Sequence, residues 1–352
     1  MGLVLGLALT LWLIGAVVKA PTGARWGMIA VLYAGVLLIQ LALPAGHQLR
    51  VATGDSLALW VMIGVVVSFV LAYRKVLVRL RKHAQEPETM VAESPFNDTE
   101  LNRYARHIVL REMGGLGQKK LKDAKVLVIG AGGLGSPALL YLAAAGVGTI
   151  GVVDDDEVDN SNLQRQVIHR DDAIGTPKVF SAEAAMMAQN PFISVKPYHR
   201  RLNVEDASEL ISEYDLVLDG TDNFDTRYLV NQVCVELGKP LISGALSQWE
   251  GQLSVFDPTN GTPCYQCIFP EAPADGLAPS CSEAGVIGPL PGVVGTMMAV
   301  EAIKVITGAG AALRGEMMIY DALWGETRKI AMKPRADCPV CGSKKAGKPT
   351  SV

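Results

Sequence analysis

The sequence predicts a doubly wound α/β domain with a largely parallel sheet, preceded by about three transmembrane helices. Three observations carry that expectation. From residue 125 onward, short β-rich runs alternate with helical segments, the pattern left by strands joined through crossover helices. The first strand, Val126-Leu127-Val128-Ile129, breaks into a glycine-rich turn, Gly130-Ala131-Gly132-Gly133-Leu134-Gly135, which opens a helix. Near the start of the chain, three apolar runs (2–18, 26–43 and 57–73) hold no charged residue.

Each of those runs is near the minimum length for crossing a bilayer. A secretory signal is the rival reading for the first, but nothing basic precedes its apolar core and no clear small-residue cleavage site comes after it. Through residue 85 there are eight Lys/Arg against Asp55 alone, and five of the eight (Arg74, Lys75, Arg79, Arg81, Lys82) come after the third run. The excess of positive charge places that end in the cytoplasm, Lys19 and Arg25 agree with it, and the N-terminus then lies outside. The expectation is a multi-pass anchor over 1–82 in the inner (plasma) membrane, with the catalytic domain cytoplasmic. The rest of the chain holds 24 basic against 34 acidic residues, which argues against nucleic acid as a partner.

Residues 83–96, with Glu86-Pro87-Glu88 and Glu93-Ser94-Pro95, are polar and proline-broken and read as a linker. Asn97 and Glu100 have the spacing of a capping box, so the domain over 97–352 opens with a helix through Met113. Strands are expected over 125–129, 149–153, 194–198, 215–218, 240–243 and 252–256, with 316–320 and 327–332 closing the sheet. Helices fit over 134–145, 177–189, 223–237 and 293–307. In such a sheet ligands bind at the carboxyl ends of the strands.

The glycine turn is a phosphate cradle: without side chains at Gly130, Gly132, Gly133 and Gly135, backbone N–H groups at a helix N-terminus approach an anion closely. Asp154 ends the next strand, about where an acidic residue meets ribose hydroxyls in Rossmann-like sites. A nicotinamide-dependent oxidoreductase shares this loop. The residues beyond Asp154 favour nucleotide-phosphate chemistry. Asn162-Leu163-Gln164-Arg165-Gln166 comes after the second strand, and Pro177-Lys178 opens a helix. Arg165 offers a planar fork and Lys178 a compact charge for a departing pyrophosphate, although either alone reads equally as a solvated surface charge. The strand at 215–218 runs into Asp219-Gly220-Thr221-Asp222-Asn223. Asp222 there could hold Mg²⁺, or Asp222 or Asn223 could cap the next helix.

Cys264-Tyr265-Gln266-Cys267 and Cys338-Pro339-Val340-Cys341 are two CxxC pairs, the pattern of a closed structural zinc site. Disulfides and an iron–sulfur cluster are the alternatives, the first disfavoured by a reducing cytoplasm. Cys234, among apolar residues of a predicted helix, reads as a core residue. Cys281, in the Pro/Ala/Gly-rich stretch 270–288 near Glu283, reads either as a nucleophile on a mobile loop or as a spectator. His47, His83, His107, His169 and His199 match no ligand or dyad spacing and read as structural or solvated. Hydrolase motifs are absent.

The order GxGGxG, acidic strand end, Asn-Leu-Gln-Arg-Gln, Pro-Lys, Thr-Asp-Asn and two CxxC pairs closely resembles the MoeB/ThiF/HesA adenylyltransferases, bacterial relatives of ubiquitin-activating enzymes, and among them the molybdopterin-synthase adenylyltransferases most. The likeness runs from about Thr99 to Cys341; the N-terminal 80 residues have no counterpart in the usual members. It implies an enzyme that binds ATP·Mg and a small ubiquitin-like sulfur carrier ending in Gly-Gly, and that forms a carrier acyl-adenylate and pyrophosphate. Carried over, Gly130 to Gly135 cradle the nucleotide, Asp154 holds the ribose, Asn162, Arg165 and Lys178 surround the phosphates, and Asp222 matches the magnesium-binding aspartate. Arg106 would reach into a neighbouring subunit's site, which implies a homodimer. Cys281 aligns with a cysteine that joins covalent sulfur transfer in some members only, and with no rhodanese domain after Cys341 a separate persulfide donor is expected.

Three other readings compete. A relative activating a tRNA-bound carboxylate, as in threonylcarbamoyladenosine cyclisation, would share the loop, but the CxxC pairs and acidic domain suit a protein substrate better. An oxidoreductase gives no reason for Arg165, Lys178 and Asp222. A non-catalytic membrane scaffold could lose those residues, yet all are present.

Overall fold

A computed structural model describes residues 2–84, 95–273 and 284–342. The chain divides into two compact units, 1–93 and 94–352. The expected linker falls largely outside the described residues, and so does Cys281.

The first unit is helical: α1 (Gly2–Val17), α2 (Thr22–Ala42), α3 (Gln48–Thr53) and α4 (Leu57–Ala84). By length and composition α2 and the stretch Gln48–Arg79 could cross a membrane, whereas α1 is a shorter apolar helix. Val4, Val36 and Trp60 form a small buried cluster. Most other apolar side chains face outward, Leu38 at 66% and Phe69 at 74% exposure among them. Polar groups concentrate at the α2–α4 connection. The Gln40 amide donates to Thr53 Oγ1 at 2.9 Å, the Trp60 indole to the Thr53 carbonyl at 3.0 Å, and Arg50 pairs with Asp55. The helix α3 in that connection is not expected from sequence. The third apolar run ends at 73, but the helix does not: α4 continues past it, carrying Arg74, Lys75 and Arg79.

The second unit is built on one eight-stranded sheet in the order β3-β2-β1-β4-β5-β6-β7-β8. These strands are β1 (Lys125–Ile129), β2 (Thr149–Asp154), β3 (Ser194–His199), β4 (Leu216–Asp219), β5 (Leu241–Leu246), β6 (Glu250–Phe256), β7 (Glu316–Asp321) and β8 (Glu326–Ala331). β1 to β5 pair in parallel, and β6 to β8 add an antiparallel wing. Short turns cause that change, since the three residues between β5 and β6 and the four between β7 and β8 leave room only for hairpins.

Alternate residues of β1 feed opposite faces, as a two-residue side-chain period demands. Val126 and Val128 pack with Leu139, Ile150 and Met298, while Leu127 and Ile129 pack with Ile211, Tyr214 and Phe256. The helices that cover the sheet include α7 (Gly135–Ala145), α8 (Lys178–Gln189), α10 (Phe224–Leu237) and α12 (Pro289–Thr307). The last is apolar enough to resemble a membrane span but is half-buried in this unit. The Asn97–Glu100 capping box forms. The helix expected through Met113 ends five residues sooner as α5 (Asp98–Ile108), and a helix that was not expected, α6 (Gly114–Asp123), opens at Gly114, where φ is +59°. A helix α9 (Val204–Ser212), opened by its own Asn203–Asp206 capping box, adds to those expected. A four-residue helix, α11 (Tyr265–Ile268), comes directly after Cys264.

The chain winds outward from β1 through β2 to β3 and from β4 to β5, so the order reverses between β1 and β4. A crevice opens at such a point beyond the strands' carboxyl ends.

Candidate nucleotide site and cysteine cluster

That crevice is a cavity of about 620 Å³. Gly130 closes β1 with φ +94°, a backbone region that glycine enters without cost, and its N–H donates to the Val153 carbonyl at 2.8 Å. A Cβ on Gly135 would lie 1.9 Å from the Gly130 oxygen, so only glycine lets the loop close onto α7. Asp154, at the end of β2, accepts the Ala131 N–H at 2.7 Å and the Asp156 N–H at 2.9 Å. Burial raises its pKa, and the Lys178 charge opposes that rise.

Gly130, Gly132, Gly133, Asp154, Asn162, Arg165, Lys178 and Asp222 all line this one cavity. Arg165 donates from Nη2 to Asn162 Oδ1 at 2.9 Å, which orients the guanidinium. Lys178, with its side chain only 5% exposed, reaches Asp156 Oδ2 at 2.7 Å. The carboxylates of Asp154, Asp155 and Asp156 lie close enough to share a cation. Asn223 makes the cap of α10, accepting the Thr226 N–H at 3.0 Å, so the alternative role for Asp222 belongs to its neighbour. Arg106 is exposed on α5 and does not line the cavity.

Three features escape a reading of the sequence. Arg227 is buried beneath the site: Nη1 donates to Ser243 Oγ at 3.0 Å, Nη2 to the carbonyls of Thr221 and Gly244, and Asp219 Oδ2 lies 3.6 Å away. Asp219 accepts from Thr221 N–H and Oγ1–H at 3.0 and 2.7 Å, so the pair fixes the turn that presents Asp222. Arg200 and Arg201 add positive charge to the cavity wall. His169 is buried against the glycine loop rather than solvated. Its only sequence signal is its place three residues after Gln166; for Arg227 it is a lone basic residue in a helix whose other charges, Asp225 and Glu236, are acidic.

The four CxxC cysteines meet in a second, separate place. Their sulfurs are 3.3 Å (Cys267–Cys341), 3.6 Å (Cys264–Cys338) and 3.9 Å (Cys264–Cys267) apart. Zn–S bonds of about 2.3 Å in a tetrahedron put sulfurs about 3.8 Å apart, whereas a disulfide needs about 2.05 Å. All four thiols are therefore free, and the cluster is compatible with one tetrahedral metal ion. The Arg335 N–H also points at Cys267 Sγ at 3.4 Å. Burial alone would raise the Cys338 thiol, but N–H groups of Cys341 and Val340 and the neighbouring thiols bring it down to about 7. Cys234 is buried in the apolar core as expected, its pKa driven far up by desolvation.

Residues 104–340 match the ThiF family. A sulfur carrier protein adenylyltransferase of Thermus thermophilus is 51% identical over 247 residues, covering 69% of this chain and 91% of that protein. The SAMP-activating enzyme E1 of Haloferax volcanii is 48% identical, covering 69% and 90%. The probable adenylyltransferase/sulfurtransferase MoeZ of Mycobacterium tuberculosis is 49% identical, covering 72% of this chain but 65% of that protein. Among solved structures, E. coli MccB with MccA-N7isoASN superposes with a TM-score of 0.61 at 25% identity, covering 71% of this chain and 76% of that one. MccB with ATP gives 0.60 at 26%, covering 68% and 75%.

Proposed function

Because the chain belongs to the ThiF family, we propose that it adenylylates the C-terminal Gly-Gly carboxylate of a small ubiquitin-like sulfur carrier, consuming ATP and releasing pyrophosphate. The observation that carries this reading is the convergence of the glycine loop, Asp154, Asn162, Arg165, Lys178 and Asp222 on one cavity at the strand switch point. Relatives named for sulfur-carrier and SAMP activation supply the substrate class.

The carrier carboxylate, already ionised, attacks the α-phosphorus. An acyl–phosphate bond forms as the α–β anhydride bond breaks, and the electron pair leaves with pyrophosphate. No protein base is needed, so catalysis rests on positioning and charge neutralisation. Backbone N–H groups of the loop hold the phosphates, Asp154 the ribose, and Asn162 and Arg165 the phosphate oxygens. Lys178 exchanges its Asp156 contact for the phosphates. Asp222 would hold Mg²⁺, which when bound offsets phosphate charge. The four thiols would hold a structural Zn²⁺ that ties the C-terminal tail to α11. Arg106, outside its own cavity, fits a homodimer in which it serves the partner's site, and sulfur would come from a separate persulfide donor, with or without Cys281. The apolar helices of the first unit would anchor the enzyme in the inner membrane with the catalytic domain cytoplasmic.

Carrier-dependent ATP–pyrophosphate exchange by the purified full-length chain tests the central claim. Exchange is expected only with a carrier whose Gly-Gly terminus is free. Exchange that ignores the carrier, or turnover of a nicotinamide cofactor instead, overturns it. For the anchor, a reporter after Val352 should behave as cytoplasmic and one at Gly46 as periplasmic; recovery of the intact chain without detergent refutes insertion.

A further inference from the structure

We propose that His169 is a positioning residue for the nucleotide: it clamps the glycine loop so that the Gly132 N–H faces the phosphates. This rests on the reading of the cavity as an ATP site. The ring is 6% exposed, with Nε2 2.9 Å from the Ala131 carbonyl and Nδ1 2.9 Å from Ser181 Oγ. A carbonyl only accepts, so Nε2 carries the proton and Nδ1 accepts from the serine hydroxyl. Burial and the nearby Lys178 charge lower the His169 pKa, consistent with a neutral ring.

Peptide geometry carries the consequence to the ligand side of the loop. The Ala131–Gly132 peptide is trans and planar, so its C=O and N–H point in opposite directions. With the carbonyl held by His169, the Gly132 N–H is turned away from the ring toward the cavity that Gly132 lines. Among the described residues this N–H donates to no backbone carbonyl. Asp154 fixes the preceding peptide through the Ala131 N–H at 2.7 Å. A loop with glycine at 130, 132 and 133 has wide conformational freedom, and these two contacts remove it on either side of Ala131. Ser181 stands one turn after Lys178 on α8, so the same imidazole joins the loop that supplies N–H donors to the helix that supplies the cation.

The test uses the full-length chain and three variants. His169→Phe keeps an aromatic ring but removes both hydrogen bonds, and should raise KM for ATP about five- to tenfold while changing kcat less. His169→Gln, whose amide can donate to Ala131, should restore KM to within about twofold of wild type. Ser181→Ala, which frees the ring to turn, should fall between them. Amide hydrogen exchange over 130–136, measured without nucleotide, should accelerate in the Phe variant and not in the Gln variant, so the clamp is read independently of ATP binding. Unchanged loop exchange and KM in a Phe variant with wild-type thermal unfolding overturn the proposal. Equal losses in Phe and Gln variants, with lowered unfolding temperatures, also overturn it, because they mark simple packing. Should the Phe variant fail to fold, an unchanged KM and loop exchange in Ser181→Ala overturn it.

Discussion

At the nucleotide end of the sheet, the functional groups come from successive loops at the ends of β1, β2 and β4, all placed by strands already paired. The cysteine cluster instead joins residues 74 positions apart, with the whole of α12 and the β7–β8 hairpin between them. The first is positioned by the fold; the second helps to position the fold. Closing a long loop costs chain entropy, which four sulfurs with no ion among them do little to offset. A change at the cluster should therefore appear first in stability, and a change in the crevice first in chemistry.

The largest effect expected is at the cluster. Structural zinc contributes about 10 kcal/mol or more in small zinc-binding peptides, and removing one of four thiolates forfeits a large part of whatever it contributes here. Under the proposed zinc assignment, Cys338→Ala should lower both zinc content, from about one per chain, and the unfolding temperature. A wild-type chain that carries no metal and is as stable as the variant would erase the contrast.

In the crevice, Arg165→Ala, Lys178→Ala and Asp222→Ala should each reduce carrier-dependent pyrophosphate exchange by about 10²–10³-fold with the unfolding temperature little changed, the scale of one lost transition-state charge contact. Asp222 is the sharpest of the three because it is exposed and Asn223 already makes the helix cap. Unaltered exchange in Asp222→Ala would remove it from the site.

The same contrast explains what the sequence can reveal. A strand, a glycine turn and a helix are local, so β1, the loop and α7 are legible within one or two residues, and the CxxC spacing announces the cluster without any knowledge of the path between its halves. Arg227 reaches Ser243 and Gly244 only because β5 pairs with β4, and Asp219 is one of four acidic residues in 215–225, so neither announces its partners in one dimension. The Asp222–Asn223 ambiguity resolves only when the helix start is fixed to within a residue. The antiparallel wing reads as strands without direction until the strand ends are fixed to the residue, because only then do 247–249 and 322–325 emerge as turns too short for anything but a hairpin. Beyond its place after Gln166, His169 gives no signal, because one partner is a main-chain carbonyl, which no residue type marks, and the other is a serine twelve residues on.

The smallest effect expected lies on the wing, at the loop that leads to Cys264. Asp257 is 2% exposed; it accepts from Thr259 Oγ1 and Asn260 Nδ2 at 2.7 Å each and from Arg314 Nε at 2.8 Å. Burial pushes its pKa up, but the hydrogen bonds from Thr259, Asn260 and Arg314 outweigh burial and hold it below the ordinary carboxylate value. A carboxylate whose folded pKa is lowered stabilises the fold fully above the unfolded value of about 4, and loses that contribution as pH falls through the folded one. Asp257→Asn keeps the shape yet turns an NH₂ toward donors, so at pH 7 it should cost about 1–3 kcal/mol. The gap to wild type should shrink as pH drops below about 4, because protonation of Asp257 removes from wild type what the substitution removed already. Pyrophosphate exchange should stay near wild type throughout, since Asp257 does not line the cavity. A stability gap independent of pH would mean that shape rather than charge holds this loop, and a loss of exchange without loss of stability would mean that the wing and the crevice are not separable regions.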